Sequence, residues 1–240
     1  MSSAAAVVAR VRAYDWAQIG DSLDRSGWAR LPGLLTAGEC RGLRALYDDR
    51  ARYRSFVDLG AKRYGDNGDY RYFAYPLPPL VRTLRTHLYA PLARIANRWQ
   101  GELGSDERFP GGLRTYLRAC HDAGQTRPTP LLLRYRKDGY NCLHQDLYGA
   151  MAFPLQVAVL LSKPSSDFTG GEFLLTEQRP RMQARGEALS LALGEGLVFP
   201  NRERPVQGRR GHHAAAVRHG VSRVRSGHRM TLGLIFHDAK

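Results

Sequence analysis

Apolar residues in the first 130 positions recur at helical spacing. Asp15-Trp-Ala-Gln18 and Thr36-Ala-Gly-Glu39 have the form of capping boxes. After Thr36, the residues Cys40, Leu43 and Leu46 fall on one helix face. Leu80, Leu84, Leu88, Leu92, Ile95 and Trp99 form a longer stripe in steps of four and three. Pro91 within it predicts a kink or a split, because proline removes an amide donor and crowds the carbonyl four residues earlier. Leu113, Tyr116, Leu117 and Cys120 make a third stripe. All three read as core-facing helix surfaces. Gly27 to Thr36 predicts a short strand leading into a helix. Tyr70 to Pro79, aromatic and proline-rich, predicts an extended or loop-like segment.

Residues 121–130 form a linker-like break. Beyond it the period changes to that of strands, with candidates at 131–136, 142–148, 155–162, 172–176, 195–199, 217–224 and 229–236. Gly139, Pro164, Gly170-Gly171, Gly194, Pro200, Gly208 and Gly227 punctuate them as turn residues. Many short strands with regular turns predict a sandwich or barrel. At 240 residues, one elaborated domain is expected.

Composition narrows the class. The 43% apolar fraction is that of a globular protein, and no apolar run approaches a membrane span, so no membrane partner is expected. The first ten residues read poorly as a signal peptide. Cys40, Cys120 and Cys142 are odd in number and widely spaced. They give neither a disulfide framework nor a zinc pattern, and they point to a reducing cytoplasm. The net charge of +14 suits an anionic partner, nucleic acid first, or else reflects an arginine-rich proteome. Eight arginines fall between Arg202 and Arg229, interrupted by one acid, Glu203. Such a stretch either tracks phosphates or forms a solvated face.

The run ending Leu143-His-Gln-Asp146 carries the chemistry. Residues two apart on a strand share a face, so His144 and Asp146 can grip one metal ion. A distal histidine would complete a two-His-one-carboxylate set, which suits non-haem Fe(II) and leaves positions open for oxygen. His212, His213, His219, His228 and His237 are the candidates. His219 is chosen because it opens a predicted strand. A hairpin with the strand after it would present His219 to the metal and Arg229 to a ligand on one wall. Cys142 shares strand parity with His144 and is expected to be small and buried.

With these residues in order, the chain resembles the Fe(II)/2-oxoglutarate-dependent dioxygenases. Their pattern is H-x-D, a long gap, a distal histidine and then a basic residue. The resemblance covers about residues 131–238, and Gly27 to Thr36 also resembles the lead-in strand of that group. It implies an α+β fold, a double-stranded β-helix (a jelly-roll, cupin-like barrel) buttressed by N-terminal helices. The whole chain, 1–240, would be one dioxygenase domain, with 1–130 mainly helical and 131–238 the catalytic core. His144, Asp146 and His219 would hold Fe(II), and Arg229 would hold the far carboxylate of 2-oxoglutarate, assisted by the Thr231 hydroxyl. Tyr135, in a Tyr-x3-Gly context, resembles the tyrosine that helps bind this co-substrate. Gly170-Gly-Glu172 resembles the turn between the middle strands. With O2, 2-oxoglutarate would become succinate and carbon dioxide while a substrate C–H bond is hydroxylated.

The whole chain also resembles a bacterial group described as oxygenases acting on damaged DNA. Tyr72-Phe-Ala-Tyr-Pro-Leu-Pro-Pro79, Leu143-His-Gln-Asp146, Gly170-Gly-Glu-Phe173 and His219-Gly-Val-Ser-Arg223 contribute. This implies oxidative demethylation of alkylated nucleic acid, single-stranded or flipped out, with Tyr70, Tyr72 and Tyr75 available to hold the base. Motif spacing resembles prolyl 4-hydroxylases instead. One basic residue follows His219 by ten, and Ile235 stands where nucleic-acid demethylases place a second arginine. The alternatives are therefore a protein (prolyl-type) or small-molecule hydroxylase, a nucleic-acid-binding module on a silent barrel, and a cupin-like protein for another metal.

Overall fold

The helices begin and end where side chains satisfy the backbone. The computed structural model describes residues 4–146 and 149–240. Helix α1 (Ala4–Arg12) buries Val7 and Val11. Helix α2 (Trp16–Ser26) starts at Asp15, whose carboxylate accepts the amides of Ala17 and Gln18. It stops at Gly27, which takes the left-handed conformation. Strand β1 (Ala29–Leu31) leads into α3 (Ala37–Ala45), where Thr36 and Glu39 form a reciprocal capping box. Both Glu39 carboxylate oxygens also accept from Arg10 at 2.7 Å, which ties α1 to α3.

Helix α4 (Pro79–Glu102) continues through Pro91 as one element, so the expected split does not occur. Leu84, Leu88, Leu92 and Trp99 are buried along its length. Each such side chain contributes roughly 1.5–3 kcal/mol, which together offsets the roughly 3 kcal/mol cost of an interior proline. Helix α5 (Leu113–Asp122) packs beside it, with the Tyr116 ring stacked on Tyr89 at 5.6 Å.

The N-terminal half also holds a hairpin that periodicity did not predict, β2 (Tyr53–Asp58) and β3 (Gly65–Phe73). Charged residues and glycines interleave with aromatics there, so neither period stands out. Tyr70 to Phe73 is the second half of β3, which pairs with β4 (Leu131–His144). Strand β4 is a single element of 14 residues spanning the candidates 131–136 and 142–144. Residues 147 and 148 of the second candidate lie outside the described residues. Gly139 is not a turn but part of β4. A Cβ there would meet the Asn67 carbonyl oxygen at 2.6 Å, so glycine permits the close approach of β3.

The remaining strands are β5 (Leu155–Leu160), β6 (Phe168–Gly170), β7 (Phe173–Gln178), β8 (Arg185–Leu189), β9 (Gly196–Pro200), β10 (Glu203–Gly208), β11 (Gly211–Val221), β12 (Val224–Gly227) and β13 (Arg229–Leu234). The main sheet runs β1-β9-β5-β13-β4-β11-β7-β8. The first half of β4 pairs with β13 and its end pairs with β11, so the antiparallel sheet curls back on itself at this strand. The result is a double-stranded β-helix of the α+β class, buttressed by the N-terminal helices.

One apolar cluster joins Val7, Leu88 and Trp99 of the helices to Val157, Val159 and Leu232. A second fills the barrel with Tyr135, Leu160, Phe173, Phe199 and Val217. Strand β5 is therefore buried on both faces, which explains why its sequence is apolar at every position but Gln156.

Three further expectations need correction. Strand β11 begins at Gly211, because 211–216 pair with β10, so His219 lies near the strand's end rather than at its start. His219 and Arg229 are not on hairpin neighbours: β12 intervenes and pairs with β6, and β4 lies between β11 and β13. Cys142 is exposed, since the end of β4 emerges at the barrel mouth. Strands β8 and β10 escaped the pattern because their exposed, charged or proline-containing sequences carry little alternation.

Candidate metal and co-substrate site

The end of β4 and the end of β11 meet in register, His144 opposite His219, with ring centres 4.3 Å apart. Asp146 follows two residues later. One of its carboxylate oxygens lies 3.2 Å from His219 Nε2 and the other 3.6 Å from His144 Nε2. One ligand atom from each of the three residues falls within 4.8 Å of the others, a spacing that a single metal ion can bridge.

The surroundings prepare this set. The Cys142 carbonyl lies 2.8 Å from His144 Nδ1 and accepts its proton, which leaves the Nε2 lone pair facing Asp146. Burial, and next the neighbouring His219, hold His144 below the ordinary histidine pKa and therefore neutral, as a metal ligand must be. His219 is clasped by the ring of Phe199 at 4.8 Å and stacked parallel to Phe173. The Asp146 amide donates to Asn201 Oδ1, and Gln145 Nε2 donates to the Arg202 and Val217 carbonyls. These contacts fix the loop that carries Asp146. Two imidazoles and one carboxylate form a donor set that fits Fe(II).

Arg229, the first residue of β13, is 2% exposed. Its register partner is Tyr135, and its guanidinium lies 5.6 Å over the Tyr135 ring. It donates to Thr231 Oγ1 at 2.6 Å, while its Nε has no hydrogen-bond partner and no carboxylate among the described residues pairs with it. Burial depresses the Arg229 pKa and lifts the Tyr135 phenol to about 12. Glu172 acts on the charge from beyond salt-bridge distance, and a buried guanidinium without a direct ion-pair partner fits an incoming carboxylate. Room for it depends on Gly171, whose Cβ would stand 2.8 Å from Arg229 Cδ.

His144, Asp146, His219, Arg229, Tyr135 and Thr231 all line one cavity of about 510 Å³. His212 and His213 lie elsewhere, opposite Gln207 and Val206 on the β10–β11 hairpin. His237 is buried and accepts the Phe153 amide. Tyr70 and Tyr72 line the cavity, but Tyr75 does not: its hydroxyl donates to Asp238 beyond the cavity wall. The basic stretch divides. Arg204 is buried against Glu177 at 2.6 Å and Arg229 lines the cavity, while the other six arginines are exposed. Sequence reasoning missed Asn201, Phe173, Phe199 and Gln156. Only Gln156 left a signal, as a polar position within an apolar strand.

A family model described as an oxygenase catalysing oxidative methylation of damaged DNA matches residues 68–239. An uncharacterized protein of Mycobacterium tuberculosis H37Rv is 52% identical over 167 residues, 70% of this chain and 72% of the relative. A 2OG-Fe(II) oxygenase family oxidoreductase from Burkholderia pseudomallei superposes with a TM-score of 0.55 at 18% identity, covering 95% of this chain and 93% of that one. A Pseudomonas putida prolyl-4-hydroxylase gives 0.54 at 14% identity, covering 94% and 99%. A Trichoplax adhaerens prolyl hydroxylase, in complex with a hypoxia inducible factor peptide, gives 0.56 at 14%, covering 98% and 93%. At these identities the structural likeness is one of fold.

Proposed function

The chain belongs to the Oxygenase-NA family, and we propose that it is an Fe(II)- and 2-oxoglutarate-dependent dioxygenase that demethylates alkylated nucleic acid, single-stranded or flipped out. As an oxygenase it is an oxidoreductase. The observation that carries the reading is the shared cavity: the metal-binding constellation and the buried Arg229, whose Nε has no hydrogen-bond partner among the described residues, face the same 510 Å³ space. When bound, Fe(II) and 2-oxoglutarate supply oxygen activation, with succinate and carbon dioxide released as a substrate C–H bond is hydroxylated.

The chain's own residues position and protect. His144, Asp146 and His219 hold the ion from one side of the cavity. Arg229 and Thr231 anchor the distal carboxylate, and Tyr135 walls that end. Phe173 and Phe199 keep water from the His219 ring. Hydroxylation of an N-methyl group would give a hemiaminal that releases formaldehyde and the free base.

The family description favours a nucleic-acid substrate, and six exposed arginines between 202 and 225 suit a phosphate backbone. Ile235 on the cavity wall, with the motif spacing, supports the second reading of a prolyl-type or small-molecule hydroxylase. We read residues 1–240 as one dioxygenase domain and place it in the cytoplasm, which suits the exposed thiol of Cys142. Among the described residues, no helix is long and apolar enough to cross a membrane. The test is succinate and formaldehyde formation by Fe(II)-loaded protein with methylated single-stranded DNA. Stimulation of both supports demethylation. Turnover indifferent to DNA moves the substrate to the second reading.

A further inference from the structure

The apolar run of β5 is interrupted once. Residues 155–161 read Leu-Gln-Val-Ala-Val-Leu-Leu, and Gln156 is only 5% exposed. Its Nε2 has no hydrogen-bond partner among the described residues. A buried amide nitrogen without a partner is costly, whereas an aliphatic side chain at this position would carry no such cost. Gln156 lines the cavity that holds the metal constellation. A molecule that enters that cavity can supply the missing partner.

Strand register places Gln156 relative to the co-substrate's anchor. Strands β5 and β13 run antiparallel, with Leu160 beside Thr231 and Ala158 beside Gly233. Arg229 and Thr231 thus mark one end of the cavity. Gln156 falls at the other end, near Ile235 and Leu131. Four strand residues separate the level of Gln156 from that of Leu160, roughly 13 Å. That exceeds the length of a five-carbon diacid anchored at Arg229. Across the sheet, Gln156 pairs with Phe199, whose ring lies 4.8 Å from His219. The amide is therefore close to the metal ligands and away from the co-substrate's anchor. Tyr70 and Tyr72 line the same cavity and meet edge to face at 5.5 Å.

We propose that Gln156 is the substrate-reading residue, its carboxamide hydrogen-bonding the edge of an alkylated nucleobase held against Tyr70 and Tyr72. This rests on the nucleic-acid reading of the proposed function. A carboxamide presents donors and an acceptor in one plane, which matches the edge of a planar heterocycle. The aromatic and aliphatic walls supply contact area, and the amide supplies orientation, turning the methyl group toward His144, Asp146 and His219.

The test compares wild type with Gln156→Met, which keeps length and volume but removes the amide. Fe(II)-loaded proteins are titrated with N-methylated and unmethylated single-stranded oligonucleotides, and separately with 2-oxoglutarate. The expected result is a KM for the methylated oligonucleotide raised at least about tenfold. The 2-oxoglutarate requirement should hold, and Tm should not fall. An unchanged oligonucleotide KM overturns the role of Gln156 and leaves the nucleic-acid reading standing. A raised 2-oxoglutarate requirement assigns the amide to the co-substrate and also overturns it. A lowered Tm with general loss of activity makes Gln156 a structural residue and overturns its substrate-reading role as well. If the wild type ignores both oligonucleotides, the nucleic-acid reading falls and this inference falls with it.

Discussion

Replacing Arg229 with methionine removes a buried charge that no carboxylate of the described residues meets in a salt bridge, Glu172 acting on it only from further off. Arg229 is 2% exposed and, among the described residues, its guanidinium makes one hydrogen bond, to Thr231 at 2.6 Å. In the ligand-free protein an unpaired buried ion carries a desolvation penalty of several kcal/mol, and methionine does not. The variant should therefore be as stable as wild type or more so. A gain of about 1 kcal/mol would appear as about 2–4 °C in Tm for a chain of this size. Co-substrate binding should move the other way. Truncating one partner of a buried, hydrogen-bonded charge pair costs roughly 2–5 kcal/mol, or about thirtyfold to several thousandfold in affinity. Thermal melts with and without 2-oxoglutarate, plus succinate formation against 2-oxoglutarate concentration, measure both quantities. The opposite signs are diagnostic. A large loss of ligand-free stability with an unchanged 2-oxoglutarate requirement would make Arg229 a structural residue and overturn its assignment to the co-substrate.

Other consequences can be checked alongside. His144→Ala and Asp146→Ala should each reduce Fe(II)-dependent turnover at least about a hundredfold while far-ultraviolet circular dichroism stays native; activity near wild type in either would sink the metal assignment. Gly171→Ala places a Cβ 2.8 Å from Arg229 Cδ at a residue whose φ is +64°. It should lower stability by about 1–2 kcal/mol and raise the 2-oxoglutarate requirement several-fold, and a silent substitution would show that Arg229 is not confined by this turn. Burial, and next the charge of Arg85, lower the His237 pKa to about 4. The unfolded chain then takes up its proton first as pH falls. Stability is full above about pH 6.5 and is lost towards pH 4, by roughly 3 kcal/mol. Urea midpoints across this range should show the slope in wild type and a flatter profile in His237→Asn; equal slopes would place the titration elsewhere.

The candidate site left more local signal in the sequence than the strand pairing around it. His144 and Asp146 are two apart in the sequence, as two ligands on one strand face would be; β4 ends at His144, yet the loop beyond it still brings the Asp146 carboxylate to within 3.6 Å of His144 Nε2. Capping at Asp15 and Thr36 marked two helix starts through local chemistry alone. Strand neighbours, by contrast, are decided by long-range pairing. Nothing local in residues 211–216 says that they extend the strand of His219 through a hairpin with β10. Nor does the sequence say that β4 separates β11 from β13. The hairpin of β2 and β3 was hidden because Arg54, Asp58, Gly65 and Asp66 break the apolar alternation. Cys142 shares parity with His144, yet it is exposed because the end of β4 emerges at the cavity mouth. Gln156 was visible as a letter, but its lack of a partner is a property of the folded cavity.

If the three ligands and Arg229 serve one centre, metal and co-substrate binding must depend on them separately. Equilibrium binding of Fe(II) and 2-oxoglutarate under anaerobic conditions resolves the two, in wild type, Asp146→Ala and Arg229→Met. One Fe(II) and one 2-oxoglutarate should bind per wild-type chain. Asp146→Ala should lose Fe(II), and Arg229→Met should keep Fe(II) while binding 2-oxoglutarate weakly. Undiminished Fe(II) binding by Asp146→Ala, or 2-oxoglutarate affinity indifferent to Arg229, would show that these residues do not form one centre.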